Sequence, residues 1–134
     1  MEKYLLIIII IPIAIVSMSM RLVPINHVYI TERLGKYHRS LETGLYFLIP
    51  LIDRIKNKVY LLEEVLEFKV LKQKVLVTYQ VIDPKNYTYA NKKPLVILKN
   101  IVKDTIESNN DINLEQINLS VNNIGIKVNN IEIK

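Results

Sequence analysis

Two histidines, His27 and His38, are the only imidazoles in the chain, and there is no cysteine. A zinc site draws its ligands from Cys, His and carboxylate side chains. One built here would need Glu32 or Glu42 beside both rings, so no metal is expected. The lack of cysteine also excludes disulfides, thiolate sites and a cysteine nucleophile, and leaves the redox compartment open. Ser17, Ser19, Ser40, Ser108 and Ser120 stand in no Gly-x-Ser-x-Gly context, so an activated serine is not expected. Glu63-Glu64 is the one adjacent carboxylate pair, and on a strand its members point to opposite faces, unable to share a proton. Three glycines in all leave no phosphate-cradling loop, hence no nucleotide cofactor. Tyr29, Tyr37, Tyr46, Tyr60, Tyr79, Tyr87 and Tyr89 fit half-buried strand positions or interfacial anchors better than a base-stacking platform. No catalysis and no cofactor are expected.

The constellation that remains is physical. Glu32 to Glu42 is charged and punctuated by Gly35; Gly44 then breaks the chain, and Leu45 to Ile52 is apolar except for Pro50. Leu45, Tyr46, Phe47, Leu48 and Pro50 are candidates for a loop that dips into one leaflet of a membrane. The competing reading is a core strand beneath a sheet.

What would hold such a loop at a bilayer lies upstream. Tyr4 to Met20 is a run of 17 uncharged residues, ten of them Leu, Ile or Val. As a helix it spans about 26 Å, just short of a hydrocarbon core of about 30 Å. Leu22 and Val23 extend it if Arg21 snorkels. At about 0.3 to 0.6 kcal/mol per Leu, Ile or Val, the run favours insertion by roughly 3 to 6 kcal/mol. Residues 1–23 are therefore expected to be a single-pass membrane anchor, with Leu5, Ile9, Pro12 and Val16 among its lipid-facing residues. Pro12 marks a kink or the tip of a re-entrant hairpin. A cleaved signal peptide is the rival: Ser17-Met18-Ser19 offers a small-x-small site, but Met1-Glu2-Lys3 is a poor n-region and the apolar run is long. Arg21, Arg33, Lys36 and Arg39 flank the run on its C-terminal side and argue for a cytoplasmic domain.

The net charge is +5 and half the residues are hydrophobic. The lysines are scattered in pairs, Lys56 and Lys58, Lys72 and Lys74, Lys92 and Lys93. That pattern suits a solvated surface or anionic headgroups, not nucleic acid. Residues 24–134 suffice for one domain.

The patterning predicts an α+β domain. His27 to Arg33 reads as a strand, Leu34-Gly35 as a turn and Lys36 to Ser40 as the returning arm. Leu45 to Ile49 is a strand or the dipping loop, and Asp53-Arg54 closes the apolar segment. Val59 to Leu62 and Val65 to Val70 are short strands. Val75 to Ile82 alternates cleanly, with Val75, Val77, Tyr79 and Val81 on one face. Asp83 caps a short helix opened by Pro84. Pro94 opens a longer one to about Ser108, with Leu95, Leu98, Val102 and Ile106 on one stripe and Asn109-Asn110 as its stop. Asn113 and Gln116 form a capping box for a helix that Gly125 ends, and Ile126 to Ile133 is the closing strand.

Glu32-Arg33-Leu34-Gly35-Lys36-Tyr37, Gly44-Leu45 and Ile49-Pro50-Leu51-Ile52-Asp53-Arg54 together resemble the start of the stomatin/prohibitin/flotillin (SPFH, band 7) domain, in its stomatin branch. Val65-Leu66-Glu67, Tyr79 to Pro84, Gly125 to Val128 and Ile131 to Lys134 resemble its later segments. The resemblance implies a membrane-anchored, non-enzymatic scaffold that self-associates and organises lipids or membrane proteins such as membrane proteases. Family members are found in either orientation, so sidedness stays open. Two departures mark an abbreviated domain over 24–134: the hairpin between Val70 and Val77 is short, and the helix between Gln116 and Gly125 is cut to a few turns. The family's C-terminal coiled coil is not expected. The alternative is a membrane-tethered adaptor that binds a full-length relative or another membrane protein without forming a ring itself.

Overall fold

The computed structural model describes residues 1–90, 93–108 and 111–134. They form an α+β chain: an apolar N-terminal helix, a strand-rich first half, then helices and a closing strand. Two compact units divide it, Met1–Val59 and Tyr60–Lys134. Lys92 of the Lys92-Lys93 pair and the expected stop at Asn109-Asn110 lie outside the described residues.

In the first unit, α1 (Glu2–Ser19) runs unbroken across Pro12 for 18 residues, about 27 Å. It is one helix and not a re-entrant hairpin. It also stops short of the extension expected through Leu22 and Val23. Met20 turns extended, with φ −74° and ψ 128°, and Met20–Val23 is strand β1, paired antiparallel with β4 (Gly44–Phe47). Pro24 disfavours a helical Val23, and Val23 is buried with Leu41 and Leu48 in a cluster that Tyr29, Tyr46 and Ile55 half cover.

Strands β2 (His27–Arg33) and β3 (Lys36–Leu41) form the expected hairpin. Its turn residues, Leu34 and Gly35, both have positive φ, 51° and 82°, as a two-residue type I′ turn requires. β5 (Asp53–Tyr60) joins β2 on its other side, in the order β3-β2-β5. Asp53-Arg54 therefore opens a strand instead of closing a loop, and this strand takes the place of the shorter one expected from Val59. Its burial alternates: Asp53, Ile55, Asn57 and Val59 turn inward, and Arg54, Lys56, Lys58 and Tyr60 outward.

In the second unit, β6 (Glu64–Val70), β7 (Gln73–Val81) and β8 (Ile126–Ile133) form an antiparallel sheet in the order β6-β7-β8. Val75, Val77, Tyr79 and Val81 are all buried, as their alternation predicts. β6 and β7 meet through a two-residue turn in which Leu71 and Lys72 have φ 47° and 71°. A side chain in that left-handed region costs roughly 1 kcal/mol or more per residue, and Asn-Gly is the usual choice. Asp83 caps α2 (Pro84–Tyr89) by accepting from the Asn86 amide at 3.0 Å. α3 (Pro94–Glu107) buries Leu98 and Val102. α4 (Leu114–Val121) is capped by Asn113, whose side chain accepts from the Glu115 and Gln116 amides, and it buries Ile117 and Val121.

A 3-10 turn, Asn122–Ile124, leads from α4 to Gly125, where the helical and sheet layers meet. The Gly125 carbonyl accepts from the Ile82 and Asp83 amides at 2.9 and 3.2 Å. With φ +75°, a Cβ there would overlap the Asp83 carbonyl oxygen and stand 3.0 Å from the Tyr87 amide nitrogen. Gly125→Ala is expected to cost about 3 kcal/mol, because both the backbone conformation and the clash oppose it. A loss of unfolding free energy in urea of less than about 1 kcal/mol would show the corner to be more yielding than its geometry.

Candidate membrane-contact site

The site begins at the last turn of α1. The Ser19 carbonyl, one of the helix's orphan acceptors, receives the Leu48 amide at 2.8 Å. The next residue, Met20, pairs with Phe47, and the ladder continues as Arg21 with Tyr46, Leu22 with Leu45 and Val23 with Gly44. No linker separates helix from ribbon.

Residues directly opposite on antiparallel strands share a face. One face of this ribbon carries Met20, Leu22, Leu45 and Phe47, exposed by 50, 71, 53 and 58%. Arg21, Tyr46, Val23 and Gly44 take the other face. Of the loop residues singled out from sequence, Leu45 and Phe47 are exposed, while Tyr46 and Pro50 are half-buried. Leu48 turns into the core beside Val23 and Leu41, since the strand's alternation sends it to the side opposite Phe47. Met20 and Leu22 belong to the surface although their sequence reads as helix extension. Their one signal is Arg21 between them, an alternation of apolar and charged residues.

Beyond β4 the chain makes a second apolar tip. The Ile52 amide donates to the Ile49 carbonyl at 3.3 Å across Pro50 and Leu51. Proline followed by a residue at φ +72° is the type II arrangement, which normally takes glycine at the second position. Leu51 holds it instead, with its side chain wholly in solvent. An exposed leucine in a strained position serves neither packing nor the turn, and such outliers cluster where a surface has a task. Two clefts flank this tip. One, of about 280 Å³, lies between Ile15, Val16 and Ser19 of α1 and Phe47 to Pro50. The other, of about 430 Å³, includes Met18, Arg21, Pro50, Leu51 and Arg54.

The helix above the ribbon buries none of its residues within the chain. Leu5, Ile9 and Val16 are exposed, and Pro12 sits within the helix. By length and composition α1 is able to cross a membrane. The serine hydroxyls donate back to the helix, Ser17 to the Ile13 carbonyl at 2.9 Å and Ser19 to the Ile15 carbonyl at 2.6 Å, which satisfies them without water.

Charge fixes the tip in place. The Arg33 guanidinium grips the Asp53 carboxylate with two bonds, 2.6 and 2.9 Å, and the Ile49 amide donates to the same carboxylate at 2.9 Å. The Asp53 side chain is fully buried. The bond from Arg33 holds its pKa down at about 2, against the opposing cost of burial, with smaller help from the Ile49 amide and the charge of His38. Next along the strand, Arg54 donates twice to Glu32, at 2.9 and 2.7 Å, and Lys56 lies 3.6 Å from the same buried carboxylate. Glu32 is thus held by cations, and among the described residues no three His, Asp or Glu side chains converge as a metal set would. Arg39 lies over the Tyr46 ring, 5.8 Å from its centre, and donates to the Phe47 carbonyl at 3.3 Å.

The adjacent carboxylates in the second unit go separate ways. Glu64 accepts from the Tyr79 hydroxyl at 2.9 Å, and Glu63 from Asn129. Burial, then the bond to Glu64, pushes the Tyr79 hydroxyl's pKa well above its ordinary value. That hydroxyl is a structural donor, held protonated.

Because Asp53 has a depressed pKa, its contribution is complete above about pH 4, the unfolded carboxyl's value, and drains away as pH falls toward 2. Protease nicking between residues 48 and 54 is expected to accelerate over that window in the wild type. In Asp53→Asn nicking should be fast at neutral pH and flat over the window. Equal protection of both proteins at pH 7 would remove Asp53 from its role.

No family model matches the chain. Parts of it are similar to known proteins. One stretch of 34 residues is 50% identical to the mitochondrial stomatin-like protein 2 of Homo sapiens, covering 25% of this chain and 10% of that protein. Another, of 65 residues, is 37% identical to an uncharacterized protein of Mycobacterium tuberculosis, covering 48% of this chain and 17% of the relative. An alignment of 131 positions gives 31% identity to an uncharacterized protein of Methanothermobacter thermautotrophicus, covering 78% of this chain and 41% of the relative. The chain spans less than half the length of each of these relatives. It is similar, in part, to stomatin-like proteins.

Proposed function

We propose that the protein is a membrane-anchored scaffold of the stomatin/prohibitin type that performs no catalysis. In this reading α1 crosses the bilayer and the apolar face of the β1–β4 ribbon rests in the adjoining leaflet. The protein self-associates on the membrane and organises lipids or neighbouring membrane proteins, such as a membrane protease. The observation that carries the reading is the continuity of two apolar surfaces. A helix with no buried residue passes, without a linker, into a ribbon that presents Met20, Leu22, Leu45 and Phe47 on one side.

Magnitudes support it. Six exposed apolar side chains, these four with Ile49 and Leu51, gain about 1 kcal/mol each on leaving water, roughly 6 kcal/mol together. A second membrane contact of that size is enough to fix the domain's tilt on a helix already inserted. Arg21, at the helix base, adds attraction to anionic headgroups of about 1 kcal/mol. Self-association multiplies a modest contact: copies held in one plane bind lipid and partners at high effective concentration. The partial similarity to stomatin-like proteins agrees with this role.

The chain has no tryptophan, so Phe47→Trp gives a single reporter in the full-length protein. In liposomes its emission is expected to be blue-shifted and quenched by lipids brominated near the headgroup, and the protein should float with the lipid after an alkaline wash. Emission as in water, with a front-shortened chain left in the aqueous fraction, would defeat the reading and favour a cleaved signal peptide. Cross-linking in the same liposomes should give a ladder of self-products. Products formed only with a longer partner would favour the adaptor alternative.

A further inference from the structure

The second unit carries two apolar features that its own core does not use. The first is the β6–β7 turn. Leu71 is 65% exposed in a conformation that suits glycine or asparagine, and Lys72 beside it shares that conformation. The second is a groove of about 270 Å³ between α4 and β8. Glu115, Asn118 and Leu119 form its helical wall, and Ile126 and Lys127 come from the strand, with Ile82 beside them. Leu119 is 76% exposed and Ile82 51%. The groove lies below the usual size range of small-molecule pockets, and it suits one or two apolar side chains.

The two features lie at opposite ends of one strand. Leu71-Lys72 precedes Gln73, the first residue of β7, and Ile82 follows Val81, its last. Nine residues of strand separate them by about 30 Å. A copy's tip therefore cannot fill its own groove, but a second copy displaced along the strand direction can fill it.

Charge fits the same docking. Among the described residues, no ion pair is formed by Lys72, Glu115 or Lys127. Lys72 flanks the apolar tip, Glu115 stands on the helical wall of the groove, and Lys127 belongs to the strand wall. A tip entering with Lys72 toward α4 meets the carboxylate and keeps its charge away from Lys127, so the groove orients its guest.

We propose that copies of this chain associate head to tail through this unit. Leu71 of one copy sits against Ile82 and Leu119 of the next, with Lys72 beside Glu115. The inference rests on the self-associating scaffold reading and names the surface that such a scaffold uses. Because the two halves of the contact are different patches, it is heterologous, and repetition gives a ring or an open chain instead of a closed pair.

Full-length protein in liposomes, cross-linked and resolved by mass, tests it. Leu71→Asn with Lys72→Gly removes the apolar tip and installs the dipeptide that a type I′ turn favours. Its thermal midpoint should not fall, while products larger than a monomer should drop at least tenfold. Leu119→Glu should abolish them from the groove side. Mixed together, the two variants retain one good tip and one good groove, so they should give a one-to-one product and nothing larger. Lys72→Glu should weaken the ladder, and adding Glu115→Lys should restore it. The proposal is overturned if the turn variant assembles like wild type, if the mixture gives no product, or if the turn variant loses flotation instead of cross-linking. In that last case the tip meets lipid. A wild-type protein with no ladder at all would remove self-association itself, a different outcome from a ladder indifferent to Leu71.

Discussion

A single backbone hydrogen bond, from the Leu48 amide to the Ser19 carbonyl, ties the end of the apolar helix to the start of the folded unit. The last carbonyls of a helix need partners. Here one partner comes from a segment nearly thirty residues downstream in sequence, and the β1–β4 ladder continues the pairing residue by residue. Direction is lost when a helix ends in a flexible linker. In this chain the helix ends in a ribbon, so the helix axis and the apolar face of Met20, Leu22, Leu45 and Phe47 are built on consecutive residues. Val23 anchors the ribbon's other face in the core with Leu41 and Leu48. Whatever receives the helix also receives that face.

The same unit spends conformational strain at its surface. Leu34 and Leu51 occupy left-handed backbone positions with their side chains in solvent, and the Leu34 amide bonds to the Ile52 carbonyl at 3.1 Å, which brings the two turns together. Asparagine or glycine would be more stable at either place. The Arg33–Asp53 fork, with the Ile49 amide on the same carboxylate, over-determines the second turn and keeps the strained conformer populated. Leucine at a strained tip is intelligible when the tip leaves water in the working state.

Much of this was legible in the sequence, where the local signal was strong. β7 alternates Val75, Val77, Tyr79 and Val81 without exception. The Asp83-Pro84, Asn113 and Gly125 signals each rest on backbone chemistry that only a few residue types supply, and each is in place. The β2–β3 hairpin is marked by Gly35. What escaped depended on long-range pairing. Met20 to Val23 reads as the tail of an apolar helix because hydropathy does not report a partner strand, here β4. β5 escaped because its inward positions include Asp53 and Asn57, polar residues that hide the period of two. Leu48 reads equally as part of a membrane-dipping loop or of a core strand, because an unbroken apolar run gives no sign of which side each residue takes. Of the candidate surface, Leu45 and Phe47 were readable, but the face they share with Met20 and Leu22 was not.

The most direct test is a nitroxide scan over residues 20–23 and 44–47. With no native cysteine in the chain, each label sits on a single introduced thiol in the full-length protein in liposomes. Oxygen accessibility is expected to alternate with a period of two: high at 20, 22, 45 and 47, low at 21, 23, 44 and 46. A helical period running on through 23, or uniform accessibility to a water-soluble relaxant at all eight positions, would contradict the coupling of helix and ribbon at the membrane.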